Sequence, residues 1–178
     1  GKTAVPGFID SHTHLVFAGS REKELMLRAA GRPYLDILKQ GGGIHNTVES
    51  VRNASEQELI EHSLYFLDQA LAMGITTVEI KSGYGLDYEN EEKMLRVIRP
   101  LDKIHPLDII PTYLVHSVPK GADRKTYISE VEKRMIPAFR EFADWFDIFL
   151  EQGVFDCDES EQLITAAQKA GYKCGIHT

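Results

Sequence analysis

The feature that most constrains this chain is an alternation of short apolar, often β-branched runs with helical segments, each run ending on a polar or ionisable residue. The first run is Pro6-Gly-Phe-Ile-Asp-Ser-His-Thr-His14, where Pro6-Gly7 marks the entry and Phe8 and Ile9 read as the inside of a buried strand. Ile75-Thr-Thr-Val-Glu-Ile80 is the second, followed by Lys81-Ser-Gly-Tyr-Gly85 as a turn. Leu107–Val115 is the third and ends at His116, Trp145–Leu150 the fourth ending on Glu151, and Tyr172–Ile176 the fifth ending on His177. Between them lie helices. Ser55-Glu-Gln-Glu58 has the spacing of a capping box, and the apolar face that follows, Leu59 to Leu71, closes at Met73-Gly74. A second helix runs from Tyr88 to Asp102. A third runs from Lys125 to Ala143, where Pro137 is expected to kink or divide it for want of an N–H to donate. The last spans Glu159–Ala170 and stops at Gly171.

Strands alternating with helices imply parallel βα units joined by right-handed crossovers. The choice is between an open doubly wound sheet and a barrel. A (β/α)8 barrel brings every strand's C-terminal end to one face, whereas an open sheet gathers only the ends beside a switch point. Here nearly every run ends on a polar group: His12 and His14, Lys81 and Tyr84, His116, Glu151, His177. The expected fold is therefore α/β, a partial (β/α)8 TIM-like barrel of about five βα units.

In an extended strand alternate side chains share a face, so His12 and His14 point the same way and can reach one ion. His177 is a third candidate ligand from the fifth strand. Alone, a histidine after an apolar strand is more often structural. Three protein ligands and an open position for water describe a catalytic zinc site, where the metal lowers the pKa of that water to about 7. Asp10 is either an outer partner of this group or an ordinary hydrogen-bonded carboxylate. Arg21 presents a planar fork that matches a carboxylate, the alternative being a solvated loop arginine. Tyr84, His116 and Glu151 have polar tips in turns. His45, His62 and His105 read as surface residues. Gly41-Gly42-Gly43 lacks the spacing of a phosphate-binding loop and reads as a connector within a long excursion after the first strand.

Composition enters as a set of exclusions. With 178 residues, 43% of them hydrophobic, the chain has enough apolar matter for one domain. Its 27 acidic and 20 basic residues give a net charge of -7, which argues against nucleic acid or an anionic membrane as partner. No apolar run approaches the roughly 18 residues a membrane helix needs, and Cys157 and Cys174 form no framework, so a soluble, cytoplasmic protein is expected.

The first run resembles the first-strand signature of the amidohydrolase superfamily, metal-dependent hydrolases on a distorted (β/α)8 barrel. More narrowly, His14-Leu-Val-Phe-Ala-Gly-Ser-Arg21, Gln40-Gly-Gly-Gly-Ile44, Thr76-Thr-Val-Glu-Ile-Lys-Ser-Gly-Tyr-Gly85 and Lys93-Met-Leu-Arg-Val97 are similar to the imidazolonepropionase family. That resemblance implies hydrolytic opening of the ring of 4-imidazolone-5-propanoate to N-formimidoyl-L-glutamate, in histidine degradation. It implies one ion, Zn2+ or Fe3+, on His12, His14 and His177. It implies a carboxylate-bearing substrate held by Arg21 and contacted by Tyr84, His116 and Tyr34, and a possible homodimer. The family's small β domain, its last barrel units, a fourth ligand and a general acid/base glutamate have no counterpart in these residues. The expectation is an N-terminal portion of a barrel, inactive alone. Within the superfamily a nucleobase deaminase is the alternative; outside catalysis, it is a metal-binding fragment.

Overall fold

The protein is described by a computed structural model covering residues 1–31 and 43–178; Tyr34, Gly41 and Gly42 lie outside the described residues. The elements run β1 (Phe8–Thr13), α1 (Glu22–Ala29), α2 (Ile44–Asn53), α3 (Glu56–Ala72), β2 (Ile75–Lys81), α4 (Tyr88–Ile104), β3 (Asp108–Val115), α5 (Arg124–Glu130), a π-turn (Val131–Met135), α6 (Ile136–Phe139), β4 (Trp145–Ile148), α7 (Cys157–Lys169) and β5 (Lys173–Cys174). The strands form one parallel sheet in the order β1-β2-β3-β4-β5, each joined to the next through helix. This is the succession of a partial (β/α)8 barrel. Among the described residues no helix is long and apolar enough to cross a membrane.

Period-2 alternation sorts the strand side chains by face. Val78 and Ile80, Tyr113 and Val115, and Phe146 and Ile148 join the core with Leu67, Met94, Leu95, Ile98, Phe139 and Leu163 of the helices. Their alternates, Glu79 and Lys81, Thr112, and Asp147, line the other face. A run that reads as uniformly apolar thus has a helix-packed side and an ionisable side.

Local signals account for most boundaries. Ser55 and Glu58 make the reciprocal capping box at the start of α3. Asp156 and Glu159 make a second one, which starts α7 at Cys157, two residues ahead of the sequence expectation. Pro137 sits at the head of α6 immediately after the π-turn, the widened turn that accommodates the missing N–H. Pro100 lies inside α4, which continues past it because Met94, Leu95, Val97, Ile98 and Leu101 are all buried.

Several expectations are corrected. β1 is an edge strand, and Phe8 and Ile9 are 61% and 71% exposed rather than buried. α2 had no counterpart in the sequence reading: its buried residues Thr47, Val48 and Val51 are β-branched and weak helix formers. β4 stops at Ile148 and β5 contains two residues, yet the N–H groups of Lys173, Gly175 and His177 donate in turn to the carbonyls of Asp144, Phe146 and Ile148. That ladder is what delivers His177 to the rim. His105 is buried, joined through Nε2 to Asp68 at 3.2 Å and accepting from the Leu107 N–H, and His62 is half-buried with Nδ1 3.0 Å from the Phe17 carbonyl.

Candidate functional site

Extended backbone places His12 and His14 on one side of β1, with ring centroids 5.5 Å apart. The β4–β5 ladder brings His177 to 5.0 Å from His12. His116, just past β3, lies 5.7 Å from His14, and Tyr84, in the turn after β2, lies 5.1 Å from it. Phe149 stacks on His177 at 4.9 Å and covers one edge of the group. Five side chains singled out from sequence thus meet at the C-terminal ends of the strands. Arg21 joins them through a cavity of about 250 Å³ that it lines with His14, Phe17, Thr47 and Tyr84. Tyr34 lies outside the described residues. Asp10 offers only a long contact, 3.4 Å, to the His12 backbone N–H, and exposed Glu151 accepts from the N–H of Gln152.

The electrostatics favour neutral imidazoles. Burial, then the neighbouring His116 and His12, pushes His14 down to about 3. Burial and then His177 push His116 down to about 4, and burial followed by Lys81 lowers His12. His177 is oriented differently. Its Nδ1 lies 2.7 Å from Oδ2 of Asp147, and because a carboxylate only accepts, Nδ1 donates to it and Nε2 is the nitrogen turned towards the other imidazoles. Nδ1 of His14 and Nδ1 of His116 are buried with no hydrogen-bond partner.

Two imidazoles held towards the neutral form, one carboxylate-oriented histidine and an unpartnered Nδ1 on His14 are a chemistry that suits a transition-metal ion. As the side chains stand, no group of three His, Cys, Asp or Glu residues among the described residues is arranged to hold a metal ion.

Behind the imidazoles lies a buried ionic chain of which the sequence reading named only Lys81. Lys81, 5% exposed, places Nζ 2.8 Å from Oε2 of Glu79 and 2.8 Å from Oδ2 of Asp147. Thr112 donates to Oε1 of Glu79 at 2.6 Å. Asp147, 3% exposed, is therefore shared between Lys81 and His177. The available signal was alternation: Glu79 and Lys81 are two apart, and Asp147 sits between buried Phe146 and Ile148.

Two further carboxylates shape the loops. Glu91 accepts from the N–H groups of Gly83, Gly85 and Leu86 at 2.9, 2.7 and 2.8 Å, which folds the turn bearing Tyr84. A side chain on Gly85 would meet the Glu91 backbone N at 2.3 Å. Glu24 accepts from Nε of Arg21 at 3.0 Å and from the Gly43 N–H at 2.9 Å.

No family model matches the chain. The sequence is 48% identical over 182 aligned residues to imidazolonepropionase of Alkaliphilus metalliredigens and 47% identical to that of Streptococcus pyogenes serotype M6. Over nearly its whole length the chain is similar to imidazolonepropionases. Each alignment takes in 99% of the chain and 43% of the relative, so the chain spans less than half the length of the curated relatives it matches. Among solved structures, N-isopropylammelide isopropylaminohydrolase from Burkholderia multivorans superposes with a TM-score of 0.56 at 17% identity, over 97% of this chain and 40% of that one. At that identity the likeness is one of fold. The imidazolonepropionase likeness extends through every element that bears on the site, from β1 to His177.

Proposed function

We propose that this chain carries the metal-binding and substrate-binding part of an imidazolonepropionase, which hydrolyses the ring of 4-imidazolone-5-propanoate to N-formimidoyl-L-glutamate. The observation that carries this reading is the meeting of His12, His14, His177, His116 and Tyr84 on one rim, with Arg21 lining a cavity that His14 and Tyr84 also line. In it, His12, His14 and His177 would hold Zn2+ or Fe3+, and such an ion would supply an activated water for hydrolysis of the ring amide.

The chain's own residues do the rest. Arg21 holds the propanoate, since an anionic tail needs a cationic fork. Neutral His116 and the Tyr84 phenol, which burial pushes upward in pKa, offer uncharged hydrogen-bonding groups to the ring. Phe149 and Phe17 supply apolar walls that limit water. Two unpaired cysteines support a reducing, cytoplasmic setting.

The test combines metal analysis with substrate titration. Purified protein is expected to hold about one Zn2+ or iron per site, and His12→Ala or His14→Ala to remove it. In the protein that carries this chain, Arg21→Ala is expected to raise KM for the imidazolone acid at least tenfold, the scale of a lost charged hydrogen-bonded pair. An unaltered KM sinks the carboxylate role and leaves a neutral ring substrate, as for a nucleobase deaminase, the better reading.

A further inference from the structure

We infer that Glu24 is a positioning residue for substrate carboxylate recognition: it pins Arg21 by Nε and fastens the start of α2, so that the terminal edge of the guanidinium is the edge offered to the acid. The inference rests on the reading of Arg21 as the carboxylate clamp.

Glu24 is anomalous in its own helix. α1 is otherwise exposed where described, with Leu25 and Met26 at its surface, yet Glu24 is 8% exposed. A carboxylate is taken out of water only where donors replace the water, and each of its oxygens has one. Oε2 accepts from Nε of Arg21 at 3.0 Å, and Oε1 accepts from the Gly43 N–H at 2.9 Å. Among the described residues no other carboxylate pairs with Arg21.

The geometry has a chemical consequence. A guanidinium offers a carboxylate two bidentate edges, the side edge that includes Nε and the terminal Nη1/Nη2 edge. With Nε engaged, the terminal edge remains. The second oxygen acts on the opposite wall. Gly43 has φ 75° and ψ -147°, a conformation that side-chain-bearing residues rarely adopt, and it caps the first turn of α2. α2 in turn places Thr47 in the cavity that Arg21 lines. One carboxylate therefore sets both the cation and the helix across from it.

Charge alone argues the other way. A negative group beside the clamp weakens attraction to an anion, so if Glu24 served only the fold, its removal would leave acid binding unchanged or tighten it. A positioning role makes removal weaken acid binding, and the two accounts differ in sign.

The probes are 3-(imidazol-4-yl)propanoate and its amide, titrated calorimetrically into the purified chain and into its Glu24→Ala, Glu24→Gln, Arg21→Ala and doubly substituted forms. Glu24→Ala is expected to weaken the acid about tenfold and leave the amide within about twofold, the scale of an interaction with a charged partner. Glu24→Gln retains one acceptor and is expected to recover part of the loss. In the Arg21→Ala background the Glu24 substitution is expected to add nothing to the acid-to-amide ratio. Unchanged or tighter acid binding in Glu24→Ala, or equal losses for acid and amide, overturns the inference. If Arg21→Ala abolishes the acid preference while Glu24→Ala keeps it, the clamp stands and only this inference falls. If the unsubstituted chain shows no preference for the acid, both fall together.

Discussion

At the scale of the residue, the site depends on charges placed where water is scarce. Asp147 answers both Lys81 and His177, so Asp147→Asn leaves a buried ammonium with Glu79 alone and removes the acceptor that fixes the His177 tautomer. Breaking a buried pair from one side costs about 3 kcal/mol, and, on the proposed reading of His177 as a ligand, loss of the carboxylate behind it costs about 10- to 100-fold in metal affinity. Urea denaturation and chelator competition are expected to show both losses. His116 carries a separate signature. Burial pushes its pKa from 6.5 to about 4, so the unfolded chain takes up a proton that the folded chain refuses. Stability is therefore full above pH 6.5, declines as the pH falls towards 4, and levels off below, by about 3 kcal/mol for this one group. His116→Gln is expected to shrink the acid-side decline in urea titrations by about that amount; an unchanged decline would show that the imidazole protonates freely in the fold. The shared face of His12 and His14 was legible from sequence because strand alternation is a local pattern. Glu24, Glu91 and Asp147 were not. A single acid in a helix or strand has no period, and its partner is chosen by the tertiary fold.

At the scale of the element, α2 shows how a segment with poor intrinsic helicity is held. Lys93 of α4 donates to the carbonyls of Val51, Arg52 and Ala54 at 2.8, 3.0 and 3.0 Å, satisfying the C-terminal end of α2. Arg52 reaches from α2 to the Gly85 carbonyl and to Asp87, and so docks the helix on the turn that bears Tyr84. The Lys93-Met-Leu-Arg-Val97 stretch, part of the resemblance, thus has a structural use for its lysine. Lys93→Met is expected to cost about 1–3 kcal/mol, the range for hydrogen bonds to a charged group and for carbonyls left bare. Amide exchange should accelerate first in 44–54 and in 82–86, ahead of α3, whose capping box is independent of it. Uniform acceleration across the chain would mean that α2 is not a separate unit. Segments with strong caps and a wide apolar stripe, α3 and α4, were legible in the sequence. α2 was hidden because Thr47, Val48 and Val51 read equally well as an extended loop.

At the scale of the whole molecule, the alternation of runs was enough to read a parallel sheet in sequential order, because crossover handedness and short connections leave few other arrangements. It was not enough to read which strands are covered. Phe8 and Ile9 have the composition of a core strand, but among the described residues β1 pairs with β2 on one side only, and its apolar side chains face outward. Met73, at the end of α3, and Val5, ahead of β1, are also exposed. An unpaired edge strand with neighbouring apolar surface is a template for pairing with another chain, because its N–H and C=O groups and its hydrophobic area both gain from a partner. The expected outcome is concentration-dependent self-association of the purified chain, visible as a mass above 20.1 kDa in light scattering. Ile9→Lys places a charge on that edge, which natural sheets use to block such pairing, and should return the mass towards that of one chain. Ile9 is exposed and so contributes little to folding, which means the thermal midpoint should stay within a few degrees while the association is lost. A chain that is monomeric at every concentration would show that the open edge of β1 is shielded in solution. An association that persists in Ile9→Lys would move the contact away from β1 to another face of the molecule.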